Sequence, residues 1–456
     1  MPARLIDGLA TTEALAELFS DRSILQAMLD FEVALARAEA SAGVIPKAAA
    51  SGIAAAGKAD GFDVANLVHD ALRHGTPGVP LAKALTERVR AKDPEAAGFV
   101  HWGATSQDVA DTALVLLLKR AQPILASDLA RLELALRNLS EKHKSTVMLG
   151  RTLMQAAPPV TFGLKAAGWL GAISRSSKRL ETAFEDALIV QFGGATGTLA
   201  SLGEKGPAVA QAVAKELNLG LPDAPWHTHR DRLAALVSSC GVLVGSLGKM
   251  ARDLSLLAQN EVAEVAEPGG EGRGRSSTMP HKRNPVGCVV TLAAAHRVPG
   301  EVAAFLSATV QEHERGLGGW QAEWPVVVSI IQSTGLAVAS MAEVAEGLSV
   351  DAARMRTNIE ATKGVIFAER AMILLGASLG RDASQRLLEE ATRKCGAQGR
   401  SLSEVLAEMP EVTSRLDASV LRALEVPEQY LGAAEVFRQA LVSSSKKTKT
   451  PNKKEQ

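Results

Sequence analysis

The stretch Gly274–Gly287 reads GRSSTMPHKRNPVG and sets two serines, a lysine and an asparagine between glycines and prolines. Asn284 followed by Pro285 has the pattern of a helix N-cap and first helical residue. Lys282 then stands beside a helix N-terminus, where unpaired backbone N–H groups and the helix dipole favour an anion such as a carboxylate or phosphate. A serine near that lysine and that positive end loses its proton more readily, which makes Ser276 and Ser277 candidates for acid–base work. Gly269, Gly270, Gly272 and Gly274 give the backbone freedom to swing, so the segment reads as a lid over bound substrate. By spacing alone the same residues also fit a flexible Gly/Ser loop carrying a solvated lysine.

Other clusters supply cationic or hydroxyl groups. In FVHWGATSQDVADTALVLLL, Thr105 and Asp108 have capping-box spacing, so a helix opening at Ser106 offers N–H donors to another carboxylate. His101, just before it, is a candidate for orienting or binding substrate, and beside Trp102 it also fits a packed, hydrogen-bonded histidine. GRTLMQAAPP supplies Arg151, Thr152 and Gln155 ahead of what reads as a proline-initiated helix. WHTHRDR places His227 and His229 close together, but no carboxylate or cysteine stands at ligand spacing; no metal is expected there, and Arg230 and Arg232 matter more. QEHERGLGGWQAEW adds His313, Arg315 and Trp320 near a helix end. The theme these separated segments share is an anion with several carboxylates.

Segments so far apart need long elements to position them, and the apolar spacing supplies these. Leu233, Leu236, Cys240, Leu243, Leu247, Met250, Leu254 and Leu257 alternate steps of three and four, the seam of a helix packed lengthwise on others. Extended from Arg232 to Glu267, such a helix is roughly 50 Å long. Leu125, Leu129, Leu132, Leu136 and Leu139 repeat the pattern after Ser106, and similar stretches cover 155–188, 285–315 and 320–348. The expected fold is all-α: a central bundle of five long helices over 106–350, between an N-terminal helical domain (1–105) and a C-terminal helical domain (351–442). Strand signals are almost absent, with one tyrosine and few β-branched runs. The polar, basic end SSSKKTKTPNKKEQ, 443–456, is expected to be a disordered tail.

Composition narrows the partners. Lys plus Arg number 50 and Asp plus Glu 50, so there is no basic excess of the kind that nucleic acid or an anionic membrane selects, and a small ligand is expected. Cys240, Cys288 and Cys395 are scattered without a CxxC pair, which suits core positions in a reducing compartment. The N-terminus lacks a basic segment followed by an apolar run, and no stretch approaches roughly 18 uninterrupted apolar residues. A soluble, cytoplasmic protein is expected.

SSTMPHKRNP resembles the signature loop of the fumarase/aspartase superfamily, and HWGATSQD and the GRT..Q..P segment are similar to its other two signature regions, in the same order. QFGGATGTLASLG, PWHTHRDR and QEHERGLGGWQAEW look most like the superfamily's cycloisomerases, which close an unsaturated tricarboxylate onto itself as a lactone. The similarity covers everything except the tail. It implies a homotetramer whose bundles pack into a core of twenty helices, active sites built from different subunits, and no cofactor. It implies Ser276 as the catalytic serine, accompanied by Ser277 and His101, and carboxylate binding by Lys282 and Asn284. Thr105, Ser106, Arg151, Thr152, Gln155, Arg230 and Arg315 complete the expected substrate-binding set.

One position departs from the superfamily pattern. Most of its lyases have a histidine after the threonine of GRT, where this chain has Leu153. A lyase expelling an amine or hydroxide must protonate a poor leaving group, so losing that acid would cost about 10²-fold or more. When a lactone opens, the reverse of cycloisomerisation, the leaving group is a carboxylate whose conjugate acid has a pKa of about 4, and it departs unaided. Leu153 therefore fits a cycloisomerase. In that reaction a substrate carboxylate oxygen adds across a conjugated double bond, cations hold the enolate-like charge, and Ser276 delivers the proton to carbon. Arg273 and Arg275 add positive charge to the lid. Two other readings are a carbon–nitrogen lyase of the adenylosuccinate type, with His101 or His229 replacing the missing acid, and a non-catalytic structural relative.

Overall fold

The apolar seams fold as long helices in the computed structural model, which describes residues 5–270, 274–275, 278–279 and 281–447. Helix α1, Asp21–Ser41, is followed by the five long helices α2, Ser106–Lys142, α3, Phe162–Ala187, α4, Asp231–Leu257, α5, Val286–Ala308, and α6, Gly319–Gly347. Shorter helices occupy the chain before Ser106 and after Ser349, so the architecture is the expected all-α one. Every seam residue of α4 from Leu233 to Leu257 is at most 4% exposed, which confirms the face the spacing selects. Cys240, Cys288 and Cys395 are buried and unpaired.

Contacts gather the chain into two compact units. The first comprises Met1–Ala130, Ser176–Gly248 and Val290–Ser340; the second comprises Arg131–Arg175, Lys249–Val289 and Met341–Gln456. In the second unit Val147 and Leu149 pack with Phe367, Leu375, Leu388, Leu402 and Leu406 in one buried cluster.

Three boundaries differ from the sequence reading. Helix α4 stops at Leu257, well before Glu267, because the seam ends there and Glu264 N–H turns back to the Leu257 carbonyl at 2.9 Å, with Ala263 at φ +51°. Residues Gln155–Thr161, expected as the start of a helix, form strand β2, paired antiparallel with β1, Val147–Thr152. Pro158 and Pro159 have no N–H to give a helix. A Cβ on Gly150 would lie 2.4 Å from the Pro158 carbonyl oxygen, so that pairing requires glycine. The second small sheet joins β3, Val265–Ala266, to β4, Ser349–Val350. Finally, the helix Ala434–Lys447 runs into the segment expected to be a disordered tail. Arg137 holds it there, donating to the Val442 carbonyl at 2.7 Å and to Ser445 Oγ at 2.8 Å. Residues 448–456 of that tail lie outside the described residues.

By length and composition α4, α5 and α6 are each apolar enough to cross a membrane. Half or more of the most apolar window is buried within the protein in α4 and α6, 50% and 56%, but only 22% in α5. Val289 and Leu306 of α5 are accordingly 57% and 46% exposed.

In the first unit α1 is capped by Ser20, whose hydroxyl accepts the Ser23 N–H at 3.3 Å, and it buries two carboxylates, Glu32 and Glu39. Neither oxygen of Glu39 has a hydrogen-bond partner among the described residues, and burial, reinforced by the charge of Glu32, pushes its pKa up to about 8. A carboxyl raised in this way binds more protons folded than unfolded. Its stabilising contribution is complete below the unfolded value near 4.5 and is lost as pH rises through about 8. Glu39→Gln is therefore expected to raise the unfolding temperature at about pH 9 and to change it little at about pH 5. An equal difference at both pH values would contradict the buried, protonated Glu39.

Candidate active site

In the first unit the start of α2 is built around Asp108. This fully buried carboxylate accepts the N–H groups of Thr105, Gly193 and Gly194 at 3.0, 3.1 and 2.9 Å, the Gln191 amide at 3.0 Å, and a 2.8 Å contact with His227 Nε2. The capping-box spacing is thus used in one direction. Asp108 takes the Thr105 amide, while the Thr105 hydroxyl accepts from Arg315 Nη1 at 3.0 Å. Arg315 Nη2 also donates to the Ala195 carbonyl at 2.9 Å, which fixes the guanidinium over the helix start. Ser106 is half-buried, and Gly78 lies so near that a Cβ there would be 2.7 Å from the Ser106 Cα. His101 precedes this cluster at φ +58°, with Nδ1 2.6 Å from Glu32 Oε1. Burial lowers its pKa, but the charge and hydrogen bond of Glu32 and the charge of Asp108 outweigh this, so the net direction is upward. His101, Thr105 and Ser106 from one segment and Arg315 from another belong to this one unit. His229 is exposed.

Arg230 corrects the sequence reading. Expected on substrate, it is 2% exposed and bidentate to Asp111, with Nη1 and Nη2 at 2.8 and 2.9 Å. Its Nε and Nη2 reach Glu323 at 2.9 and 2.7 Å, and the guanidinium lies 4.7 Å from the Trp226 ring centroid. Gln107, Trp320 and Gln311 donate to the same two carboxylates. Two interior acids need a cation, and Arg230 is that cation, so its guanidinium is not presented to a ligand.

In the second unit Arg151, next to last in β1, forms a two-pronged pair with fully buried Glu264, at 3.0 and 2.7 Å, and Asn358 adds a 2.8 Å bond to the same carboxylate. Its side chain remains 28% exposed, so it fixes the strand end while keeping an edge to solvent. Thr152 and Gln155 face each other across the hairpin and are both exposed. Between them Leu153 and Met154 make a two-residue turn with φ +50° and +67°, a conformation that ordinarily selects Asn-Gly, and they are 97% and 69% exposed. Leu153→Ala is expected to leave the shape of the pH–rate profile intact, because no titrating group is lost. Disappearance of a whole limb of that profile would contradict the leaving-group argument.

The signature loop also lies in the second unit. Asn284 N–H donates to the Gly274 carbonyl at 2.8 Å, Gly274 has φ +64°, and Arg275 bridges to Arg283, which closes the stretch on itself. Arg275, His281, Lys282, Arg283 and Asn284 line a cleft of about 1390 Å³ together with Glu261, Glu267 and Asp351. Ser276, Ser277, Gly272 and Arg273 lie outside the described residues. The expected anion at the start of α5 is present, but it is the protein's own. Glu267 accepts the N–H groups of Gly287 and Cys288 at 3.0 and 2.8 Å. Helix α5 begins at Val286, and Pro285, whose carbonyl accepts the Val289 N–H at 2.9 Å, takes the cap position expected for Asn284.

A family model described as Lyase matches residues 9–300, and one described as Adenylosuccinate lyase C-terminus matches residues 364–440. The chain belongs to the fumarase/aspartase superfamily of lyases. Within that superfamily it is 48% identical to the 3-carboxy-cis,cis-muconate cycloisomerase of Bradyrhizobium diazoefficiens, across 96% of this chain and 98% of the relative. The enzyme of the same name from Pseudomonas putida is 47% identical across 92% of this chain and 100% of its own length. The crystal structure of 3-carboxy-cis,cis-muconate lactonizing enzyme from Pseudomonas putida superposes with a TM-score of 0.92 at 45% identity, covering 98% and 100% of the two chains. The sequence reading does not single out Glu32, which holds His101, Glu264, which holds Arg151, or Glu267, which accepts backbone N–H groups, and it reads Asp108 only as a capping residue. For Glu32 and Glu264 the sequence signal is a carboxylate flanked by apolar residues, in FEVAL and VAEVA.

Proposed function

We propose that this protein converts 3-carboxy-cis,cis-muconate to carboxymuconolactone in the breakdown of protocatechuate. The observation that carries this reading is near-full-length kinship with cycloisomerases of that name, and Leu153 in the position of the superfamily's acid supports it. One substrate carboxylate oxygen adds across the conjugated double bond, and the displaced electron pair moves toward a second carboxylate as an enolate. A proton delivered to carbon completes the lactone, and the O–H bond broken in the donor is restored by a proton from solvent. Ser276, or Ser277 beside it, delivers that proton. Lys282 and Asn284 hold the carboxylate on which charge develops, and His101, Thr105, Ser106 and Arg315 bind another through cationic and hydroxyl donors. Arg151, Thr152 and Gln155 line the remaining side. The nucleophile belongs to the substrate, so the chemistry calls for no metal, nucleotide or covalent intermediate.

The working form is a cytoplasmic homotetramer in which the His101, Gln155 and Ser276 regions of one site come from different subunits. The exposed apolar residues of α5 support assembly, since a long helix left so uncovered calls for a partner. The direct test is ultraviolet absorbance. A conjugated dienoic tricarboxylate absorbs in the near ultraviolet and its lactone does not, so fresh protein without added cofactor should bleach 3-carboxy-cis,cis-muconate. Unchanged absorbance, or cleavage of adenylosuccinate instead, would overturn the reading.

A further inference from the structure

Helix α1 carries Glu32 and Glu39 two turns apart, and both are interior, 1% and 0% exposed. Glu32 uses Oε1 on His101 Nδ1; among the described residues its Oε2 has no hydrogen-bond partner, and Glu39 has none on either oxygen. An ionised carboxylate so poorly supplied with donors is unfavourable in an interior unless a cation sits against it. Among the described residues the ion pair Glu32 makes is with His101. The backbone adds an independent sign. His101 holds φ +58°, a left-handed conformation that costs a non-glycine residue energy and persists only where the surroundings impose it.

We propose that Glu32 is a positioning residue for His101, gripping Nδ1 so that the ring stays an imidazolium and presents its Nε2–H to a substrate carboxylate. The inference rests on the proposed role of His101 in substrate binding and deepens it. An imidazolium has no lone pair to accept a proton, so His101 does not act as a base, and its Nε2–H is held on a substrate carboxylate oxygen and not on the carbon that is protonated. Below about pH 8 Glu39 stays protonated beside Glu32 and adds no second charge to the pair. The other acid facing the ring is Asp108 of α2, whose oxygens are already engaged by backbone amides, Gln191 and His227. Glu32 is therefore the acid that sets the state of His101.

Two measurements on the full-length protein test this. In protein labelled at the ring carbons of its nine histidines, the His101 resonance is assigned by its loss in His101→Gln. It should titrate above the usual histidine value of about 6.5 and move down by about one pH unit or more in Glu32→Gln. A wild-type His101 titrating at or below the usual value overturns the proposal, and this arm needs neither substrate nor a folded Glu32 variant. The second measurement is the pH profile of kcat/KM for 3-carboxy-cis,cis-muconate. The imidazolium is lost as pH rises, so the descending limb of Glu32→Gln should lie about one pH unit or more below that of the wild type. A loss by the same factor at every pH would make Glu32 merely structural and overturn the proposal. Wild-type protein that does not turn over the muconate would sink the proposed reaction alone, with the histidine titration still deciding the role of Glu32.

Discussion

Ser276→Ala is expected to lower turnover of 3-carboxy-cis,cis-muconate by about 10²-fold or more while leaving its ground-state affinity nearly unchanged. The serine acts only after the lactone oxygen begins to add, when charge has moved onto the neighbouring carbon. Removing its hydroxyl therefore raises the barrier without removing a contact that bound substrate needs. Lys282→Ala provides the contrast, because it deletes a cation from the carboxylate site and should weaken binding as well as turnover. Rapid-mixing kinetics over a range of substrate concentrations separates the two effects. Near-normal turnover in Ser276→Ala would transfer proton delivery to Ser277 or to a histidine.

The second large effect concerns stability. Arg230→Met is expected to cost about 3–5 kcal/mol, the range for breaking a buried ion pair by deleting one partner. Asp111 and Glu323 are both fully buried, and the guanidinium that neutralises them also stacks on Trp226. Deleting it leaves two interior carboxylates with neutral donors only, from Gln107, Trp320 and Gln311. Replacing Asp111 and Glu323 by Asn and Gln in the same chain should recover part of the loss, because no uncompensated charge then remains. Denaturant midpoints at constant m-value are the measurement. A variant with wild-type stability and a raised KM would instead return Arg230 to the substrate site.

Particular residues show how far the sequence carries. The α4 seam was legible because steps of three and four are a property of the helix itself, and all of its residues are buried. The start of α2 at Ser106 was legible for the same local reason, a capping pattern directly ahead of an apolar run. The β1–β2 hairpin was not. Its turn is Leu153–Met154, where local preference asks for Asn-Gly, so nothing in the turn announces a strand pair. The site divides in a similar way. Cations and hydroxyls stand in motifs that can be read along the chain, whereas their carboxylate partners come from distant segments, as Glu264 does for Arg151 and Asp111 for Arg230. An arginine looks alike in sequence whether it faces a ligand or an interior acid. For Arg230 the interior acids prevailed, since burying Asp111 and Glu323 without it would be far more unfavourable than forgoing one surface cation.

Reaction in deuterium oxide, followed by mass spectrometry and proton NMR of the product, tests the reaction type most directly. Intramolecular addition of a carboxylate consumes one proton and releases no fragment. The expected product is a lactone with the carbon skeleton of 3-carboxy-cis,cis-muconate, bearing one solvent-derived deuteron on carbon beside the new C–O bond. Fumarate or an amine released, carbon dioxide lost, or a lactone without carbon-bound deuterium would contradict a cycloisomerase that protonates carbon.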